Sequence, residues 1–289
     1  MAGYVPAHVD IHAPGYREPT AVAFFLHGIL GSATNWRAFV RRLVEGHPGW
    51  LFVVVDLRNH GDSVGARGPH TLSACAADLA NLAADLGLEP SIICGHSFGG
   101  KVAMTYAVER QPDVDEVWLL DAPLRGAAGP DPSPAALAGV EQVRDMIATI
   151  RSVPVPLARR AELVDLLMRR GTTEPMARWM TTNLKPTPGG YRWRFDLDAV
   201  EEMLADYLKT DLLSAVDALP GRARLQVVRG ARSDRFDATE LSRLEALAGE
   251  GSVSLHTLAD AGHWLHVDNP EGLAELLRAA MRRVARRLR

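Results

Sequence analysis

The sequence predicts an α/β protein with a mostly parallel sheet and helices on both of its faces. Short apolar runs of strand type alternate with segments of helical periodicity, first over residues 1–121 and again after residue 217. Strands joined by crossover helices lie parallel in one sheet, so this alternation indicates the fold class. The 289 residues are 47% hydrophobic, which is sufficient for one core with an insertion. Ligands bind such sheets beyond the carboxyl ends of the strands, and we expect the functional residues there.

Seven segments have the composition of core strands. Residues 5–11 alternate polar and apolar positions, which predicts an antiparallel strand at the edge of the sheet. The more continuously apolar segments predict buried strands at residues 21–26, 51–55 and 92–94, and further strands are expected at residues 115–121, 224–229 and 253–258. Helices are expected between them: one capped by Ser32 that runs through Trp36 and Leu43, and others over residues 71–86, from Phe98 onward, over 240–248 and over 271–288.

The alternation of strands and helices stops in the middle of the chain. We predict a core made of residues 1–121 and 218–289, with residues 122–217 inserted as a helical lid. The expected lid elements are helices over residues 135–150, 156–170, 173–185 and 196–208, a turn over 186–190 and an extended segment over 191–195.

The strongest single motif is Gly95-His96-Ser97-Phe98-Gly99, between a buried strand and a helix. A serine on so sharp a strand-to-helix turn needs small residues two positions before and after it, because the backbone passes close to itself there. Gly95 and Gly99 meet that requirement. The first amides of the following helix, from Phe98, would point towards the serine and stabilise an oxyanion. The motif therefore predicts that Ser97 is a nucleophile.

A second loop, over residues 27–32, follows the buried strand at 21–26 and contains two glycines. Its Ile29 amide, together with the Phe98 amide, is predicted to form a two-donor oxyanion hole. We interpret His27 as a structural residue that hydrogen-bonds its own backbone. The polar turn over residues 56–63 is expected to brace the floor of the site.

Composition excludes several classes of function. A formal net charge of −3 offers no general attraction to nucleic acid, and the six arginines between Arg278 and Arg289 are expected on a solvated helix face. Two cysteines predict neither a disulfide framework nor a Cys-based metal site. The chain has no basic leader and no run of about eighteen apolar residues. We therefore expect a soluble cytoplasmic protein without membrane or nucleic-acid partners, and the oligomeric state stays open.

Methionine and tryptophan are dense in the predicted lid, where they could line an adaptable acyl pocket. The candidate pocket residues are Leu30, Trp179, Met180 and Trp264. The competing interpretation is that such residues simply pack helices together. No HExxH, CxxC or strand-associated GxGxxG motif occurs, so neither a metal nor an organic cofactor is expected.

Six motifs occur in a fixed order along the chain: HGIL-GS, DLRNHGDS, GHSFGGK, LLDAP, RGARSD and AGHWLHVDNP. Together they resemble the α/β-hydrolase superfamily, and more narrowly its small serine esterases and thioesterases of bacteria and mitochondria. The resemblance implies that Ser97 attacks an acyl carbonyl and that His263 takes and returns the proton. It also implies that a carboxylate orients His263 while the Ile29 and Phe98 amides hold the oxyanion.

The carboxylate partner of His263 has two candidates. Asp234 lies after the strand at 224–229, the usual position of the acid in this superfamily, but one residue later than expected because Ser233 occupies that place. Asp121 ends the preceding core strand, and some relatives in the resembled branch place their acid there and keep a serine at the later position. This offset favours Asp121 with Ser233 in support, and Asp234 stays the alternative.

The expected activity is hydrolysis of small to medium carboxylic esters, or thioesters, through an acyl-enzyme. A carbon–carbon bond hydrolase or a cofactor-free perhydrolase on the same scaffold is the alternative within enzymes, because both would use the same serine and histidine. A non-catalytic binding protein that keeps the fold is the alternative from another class, and it would be expected to lose at least one reacting group.

Overall fold

The computed structural model describes residues 3–16, 18–111, 113–126, 134–219 and 223–288. Within these ranges the strands are β1 (His8–Ile11), β2 (Ala21–Leu26), β3 (Trp50–Val55), β4 (Ile92–His96), β5 (Glu116–Leu120), β6 (Leu184–Thr187), β7 (Gly190–Trp193), β8 (Arg224–Gly230) and β9 (Val253–Leu258). The α-helices are α1 (Thr34–Val44), α2 (Leu72–Leu86), α3 (Phe98–Arg110), α4 (Pro134–Arg151), α5 (Arg160–Arg169), α6 (Glu174–Met180), α7 (Leu197–Lys209), α8 (Ala238–Gly249), α9 (Leu265–Asp268) and α10 (Pro270–Arg287).

Seven of the described strands form one sheet in the order β1-β3-β2-β4-β5-β8-β9. β1 pairs antiparallel with β3 at one edge, and the other neighbours in this sheet are parallel. The predicted fold class is confirmed, including the antiparallel edge strand. β4, β5, β8 and β9 are consecutive neighbours, so the loops at their carboxyl ends meet along one edge.

The sheet is covered on both faces because side chains alternate along each strand. In β2, Val22, Phe24 and Leu26 belong to a buried cluster that includes residues of α2, α3 and α8. The intervening residues Ala21, Ala23 and Phe25 belong to a second buried cluster that includes residues of α1 and α10. The nucleophile strand β4 is therefore held between two hydrophobic layers.

Helices α4–α7 and the antiparallel hairpin β6–β7 lie in the chain between β5 and β8, which are neighbours in the sheet. These elements share a buried cluster of their own, which includes Leu163, Leu167, Ala177, Met180 and Val200. We call residues 122–217 the lid segment. Its division from the core at those residues remains a prediction.

Two lid helices are shorter than the sequence predicted. The third stops at Met180 and gives way to a 3₁₀ turn over Thr181–Asn183, then to β6. Arg160 donates to the carbonyl oxygens of Thr181 (2.7 Å) and Leu184 (2.7 Å), which are acceptors that a continuing helix would have used. The second begins at Arg160, because Leu157 instead exchanges backbone hydrogen bonds with Tyr191 (2.9 and 2.7 Å).

One capping prediction is also wrong. Ser32 does not cap α1, whose N-cap is Ala33 without a side-chain cap. The Ser32 side chain does not accept a hydrogen bond from the helix; instead, the Ser32 amide donates to Asn35 Oδ1 at 2.8 Å. Separately, none of the helices in the described ranges has the length and apolar character needed to cross a membrane.

Candidate active site

Ser97 lies between β4 and α3 with φ +51° and ψ −117°, a strained conformation for a residue with a side chain. The neighbouring glycines permit this turn. A Cβ on Gly95 would lie 2.0 Å from the Gly99 carbonyl oxygen, and a Cβ on Gly99 would lie 2.6 Å from the His27 carbonyl oxygen. Neither position accepts a larger residue without moving the backbone, which is the steric reason for the Gly-x-Ser-x-Gly pattern.

The elbow is joined to the neighbouring strands by backbone hydrogen bonds. The Ser97 amide donates to the Leu120 carbonyl at 2.9 Å, and the Asp121 amide donates to the Val228 carbonyl at 2.8 Å. Ser97 and Asp121 therefore lie at the carboxyl ends of adjacent strands, β4 and β5. Ser233 and His263 follow β8 and β9, the next two strands of the sheet.

Asp121 is fully buried and its carboxylate has three partners. Oδ2 lies 2.8 Å from His263 Nδ1 and accepts from Ser233 Oγ at 2.5 Å, while Oδ1 accepts from the Gly230 amide at 3.1 Å. Because a carboxylate only accepts, His263 Nδ1 carries a proton. The other ring nitrogen, Nε2, is then left unprotonated in the neutral imidazole and can act as a base.

Asp234 is placed differently. Its side chain is 72% exposed, and its Oδ1 lies 3.8 Å from Arg235 Nε. Its neighbour Ser233 turns inwards to Asp121, so the two adjacent residues have opposite orientations. The structure therefore does not bring Asp234 to His263.

The loop that carries His263 is held by a residue that the sequence did not single out. His96, the residue before the nucleophile, is buried, and its Nε2 lies 2.8 Å from the His263 carbonyl oxygen. Since a carbonyl only accepts, His96 donates through Nε2. The pKa of His96 lies well below its usual value, mainly because the ring is buried, and the nearby His263 and His266 lower it further. A neutral His96 thus positions the His263 backbone; the only sequence signal was its place inside the elbow motif.

On the opposite side of Ser97 lies the loop after β2. Among the described residues, the amides of Ile29 and Phe98 donate to no acceptor, and both residues line the same cavity as Ser97. The next amide, that of Leu30, donates to His60 Nε2 at 3.2 Å. This contact fixes the loop directly beside the predicted oxyanion-hole amide of Ile29.

His27 and His60 are buried and hold neighbouring backbone. His27 Nε2 accepts from the Leu57 amide at 3.0 Å, and its Nδ1 lies 2.8 Å from the Gly28 carbonyl oxygen. Burial lowers the pKa of His27 to about 4. Burial is also the largest cause of the low pKa of His60, which is about 3. Both rings are neutral at pH 7, which agrees with a structural role for His27.

Asp56 is a second residue that sequence reasoning missed individually, although the turn containing it was expected to brace the site. Its Oδ1 accepts from the Ala33 amide at 2.6 Å and its Oδ2 from the Asp62 amide at 2.9 Å. Gly61 packs so closely that a Cβ there would meet the Asp56 carboxylate at 2.2 Å. One buried carboxylate therefore joins the loop after β2 to the turn after β3.

A cavity of about 590 Å³ lies between the sheet edge and the lid segment. It contains the proposed reacting groups and an apolar wall from the lid, and its lining includes Ile29, Leu30, Ser97, Phe98, Asp121, Val140, Val143, Met146, Met176, Trp179, Leu204, His263 and Trp264. Three of the four predicted pocket residues, Leu30, Trp179 and Trp264, face this cavity. Met180 does not line it; this side chain is fully buried in the lid cluster, on another side of α6.

In the described part of the chain, no group of three or more His, Cys, Asp or Glu side chains is arranged to hold a metal ion. The Asp121 carboxylate and His263 Nδ1, which could serve as metal ligands, are paired with each other. A metal-free and cofactor-free site remains the prediction from sequence.

Comparison with known proteins shows the family to which the chain belongs. The chain is 29% identical over 256 residues to the sn-1-specific diacylglycerol lipase ABHD11 of Mus musculus, covering 86% of this chain and 76% of the relative. It is 25% identical over 259 residues to Esterase YbfF of Escherichia coli, covering 88% and 90%. A solved marine microorganism esterase shares the fold with a TM-score of 0.79 at 23% identity, over 95% of this chain and 98% of that one. A profile of the alpha/beta hydrolase family matches residues 23–276, and the chain belongs to that family.

Proposed function

We propose that this alpha/beta hydrolase is a serine ester hydrolase that acts on small to medium acyl esters through an acyl-enzyme on Ser97. The observation that carries the proposal is the 2.8 Å contact between His263 Nδ1 and the buried Asp121 carboxylate, with both residues lining the cavity of Ser97. A histidine held in this tautomer presents Nε2 as a base to a nearby hydroxyl. The relatives named lipase and esterase support ester bonds as the substrate class.

In the proposed mechanism, His263 Nε2 takes the proton of the Ser97 hydroxyl as Oγ attacks the acyl carbonyl. The carbonyl becomes a tetrahedral oxyanion, which the Ile29 and Phe98 amides stabilise. The imidazolium then gives its proton to the departing alcohol or thiol, leaving the acyl group on Ser97. Water, deprotonated by the same histidine, hydrolyses the acyl-enzyme and regenerates the hydroxyl.

Asp121 acts through His263 in both halves of this reaction. Its negative charge stabilises the imidazolium, and its Oδ2 holds the Nδ1 proton so that Nε2 stays free to act as a base. Ser233 donates to Oδ2 and the Gly230 amide donates to Oδ1, which holds the buried carboxylate in its orientation towards His263.

The size of the cavity supports a small to medium acyl group. About 590 Å³ lies within the range of roughly 300–1,000 Å³ that is typical of small-ligand sites. The lid wall is mainly apolar where Trp179, Met176 and Met146 face it, which suits a hydrocarbon chain.

The decisive experiment is a screen of para-nitrophenyl esters of graded chain length and of acyl-CoA thioesters, with wild-type protein and Ser97→Ala. We expect turnover by the wild type and a loss of about 10⁴-fold or more in the variant, with an unchanged circular-dichroism spectrum. A fluorophosphonate probe should label Ser97 and no other serine, as located by peptide mass spectrometry.

The same screen separates the alternatives. Added hydrogen peroxide tests for peracid formation, and a vinylogous diketone tests for carbon–carbon bond hydrolysis. Ester turnover by Ser97→Ala within tenfold of wild type would refute the nucleophile assignment. Tight binding of esters without any turnover would instead indicate a binding protein.

A further inference from the structure

Arg235 contributes a positive charge to the wall of the cavity next to the proposed reacting groups. Its side chain is 24% exposed and is among the cavity-lining residues. Nη2 donates to Gln142 Oε1 of α4 at 3.1 Å, so the guanidinium bridges the loop after β8 and the lid segment. Among the described residues, its buried Nε has no hydrogen-bond acceptor. The group thus has charge and donor capacity that the protein itself does not use.

The other charged groups around the cavity are paired, exposed to solvent or only partly charged. Arg125 forms an ion pair with Asp237 at 2.7 Å. Asp145 and Arg170 are exposed and carry opposite charges. Burial raises the pKa of Glu240 to about 7, which reduces its negative charge at neutral pH. The Asp234 carboxylate lies 3.8 Å from Arg235 Nε, beyond hydrogen-bond distance, and its side chain is 72% exposed.

Arg235 is also close to the catalytic groups along the chain and in space. Its amide donates to Ser233 Oγ at 3.3 Å, and that hydroxyl donates to Asp121. The positive charge of Arg235 also lowers the pKa of His96 in the elbow, although burial, His263 and His266 have larger effects. A group bound by Arg235 would therefore lie in the same cavity as a carbonyl placed at Ser97.

Resting on the proposed function, we propose that Arg235 binds a carboxylate carried by the substrate, so that the enzyme prefers monoanionic esters or thioesters to neutral ones. A planar guanidinium matches a carboxylate in two parallel hydrogen bonds, and a partly buried site strengthens them. The apolar lid wall accommodates the hydrocarbon part, while Arg235 recognises the charged end. The carboxylate could belong to the acyl group or to the leaving group.

The test compares matched pairs of esters that differ in one charge. On the acyl side, mono(para-nitrophenyl) glutarate is compared with para-nitrophenyl valerate. On the leaving-group side, para-acetoxybenzoate is compared with its methyl ester. The wild type should favour the anionic member of at least one pair by about 10- to 100-fold in kcat/KM, and the pair shows which part of the substrate carries the carboxylate.

Three variants assign the preference to Arg235. Arg235→Gln should reduce the anionic-to-neutral ratio by about 10- to 100-fold, and Arg235→Lys should give an intermediate ratio because it keeps the charge but loses the planar fork. Arg232→Gln is the matched control: it removes one charge from the same loop, where Arg232 is exposed and donates to the Asp260 carbonyl. Its ratio should stay within about threefold of the wild type.

Calorimetry with the Ser97→Ala variant measures the affinity for the same esters without turnover, so the binding inference can be tested separately from catalysis. The anionic member should bind about 10- to 100-fold more tightly. Equal affinities, or an unchanged ratio in Arg235→Gln, would overturn the assignment of Arg235. If the wild type hydrolysed neither ester, the proposed function would fail, while the calorimetric comparison would still decide on Arg235.

Discussion

The core and the lid segment build opposite walls of one cavity in different ways. On the core side, four neighbouring strands of the sheet, β4, β5, β8 and β9, are followed by Ser97, Asp121, Ser233 and His263. Backbone hydrogen bonds connect the ends of β4, β5 and β8. On the lid side, the helices share an apolar cluster that also includes Leu30 of the core. Individual polar groups add to this contact, such as Asn183 Nδ2, which donates to the Leu30 carbonyl at 2.7 Å. The reacting geometry thus depends on the sheet, whereas the shape of the cavity depends on how the lid is held.

The amino-acid composition also differs between the core and the lid segment. All ten histidines lie outside residues 122–217, whereas five of the eight methionines lie inside them. Buried histidines in the core make directed hydrogen bonds to backbone, and methionines in the lid provide flexible apolar surface. The two regions should therefore respond differently to substitution and to pH.

The largest difference should appear at the core carboxylates. Asp121→Asn should lower kcat on a neutral para-nitrophenyl ester at pH 7 by up to about 10⁴-fold, because an asparagine does not hold the Nδ1 proton or stabilise the imidazolium. Asp234→Asn, measured in parallel, should stay within about tenfold of the wild type because its side chain is exposed and away from His263. A near-dead Asp234→Asn with a nearly normal Asp121→Asn would reverse the assignment.

Next in size is the attachment of the lid at Lys101. This buried ammonium donates to the carbonyl oxygens of Arg125 (2.9 Å), Tyr207 (3.0 Å) and Thr210 (2.7 Å), which lie on the two connections of the lid segment to the core. Lys101→Met should lower the free energy of unfolding by about 3 kcal/mol, because it leaves three carbonyls and the buried Glu240 without their cation.

Hydrogen–deuterium exchange locates this loss. Peptides from residues 122–126 and 207–212 should exchange faster in Lys101→Met, while strands β2 and β4 change less. The exposed lid residue Lys185 supplies the control, and Lys185→Met should alter neither stability nor exchange noticeably. Unaltered exchange at both connections would show that Lys101 does not hold the lid.

Acid should weaken the core through its buried histidines. Burial lowers the pKa of His27 and His266 to about 4 and that of His60 to about 3, whereas each has a pKa of about 6.5 in the unfolded chain. Below pH 6.5 the unfolded chain binds protons that the native core does not. Stability is therefore lost as the pH falls from 6.5 towards 4, by about 1.4 kcal/mol per pH unit for each histidine.

Urea unfolding between pH 7.5 and 4.5 measures this slope. His60→Gln should reduce the slope by about one histidine's contribution, whereas the exposed His12→Gln should leave it unchanged. The same slope in His60→Gln and wild type would contradict this explanation.

The smallest expected effect on activity distinguishes the two sides of helix α6. Trp179 faces the cavity, so Trp179→Ala should shift the preferred acyl chain length by a few-fold in kcat/KM, while turnover of the acetyl ester changes less. Met180 is buried in the lid cluster, so Met180→Ala should cost about 2–5 kcal/mol of stability and leave the chain-length preference unaltered. A shifted preference in Met180→Ala alone would mean that the helix presents its other side.

Much of the fold was predictable because its signals are local. The strands predicted at residues 21–26 and 253–258 became β2 and β9 with the same bounds. β2 is buried along its whole length, whereas β9 at the edge of the sheet is buried only at Val253 and Leu258. The lid helices were less predictable. The predicted third lid helix extends to residue 185, although Thr181, Thr182 and Asn183 are weak helix formers. Pairing with β7 and the contacts of Arg160 produce a turn and a strand there instead.

The sequence by itself determined the family and the candidate nucleophile, because the space between Gly95 and Gly99 is a steric requirement within five residues. Only the tertiary structure decided which aspartate meets His263, because Asp121 and Asp234 are distinguished by the order of neighbouring strands and by the direction of one side chain. The same holds for His96 and Arg235. Their contacts join residues 167 and 93 positions apart, a separation at which no local pattern indicates which atoms will meet.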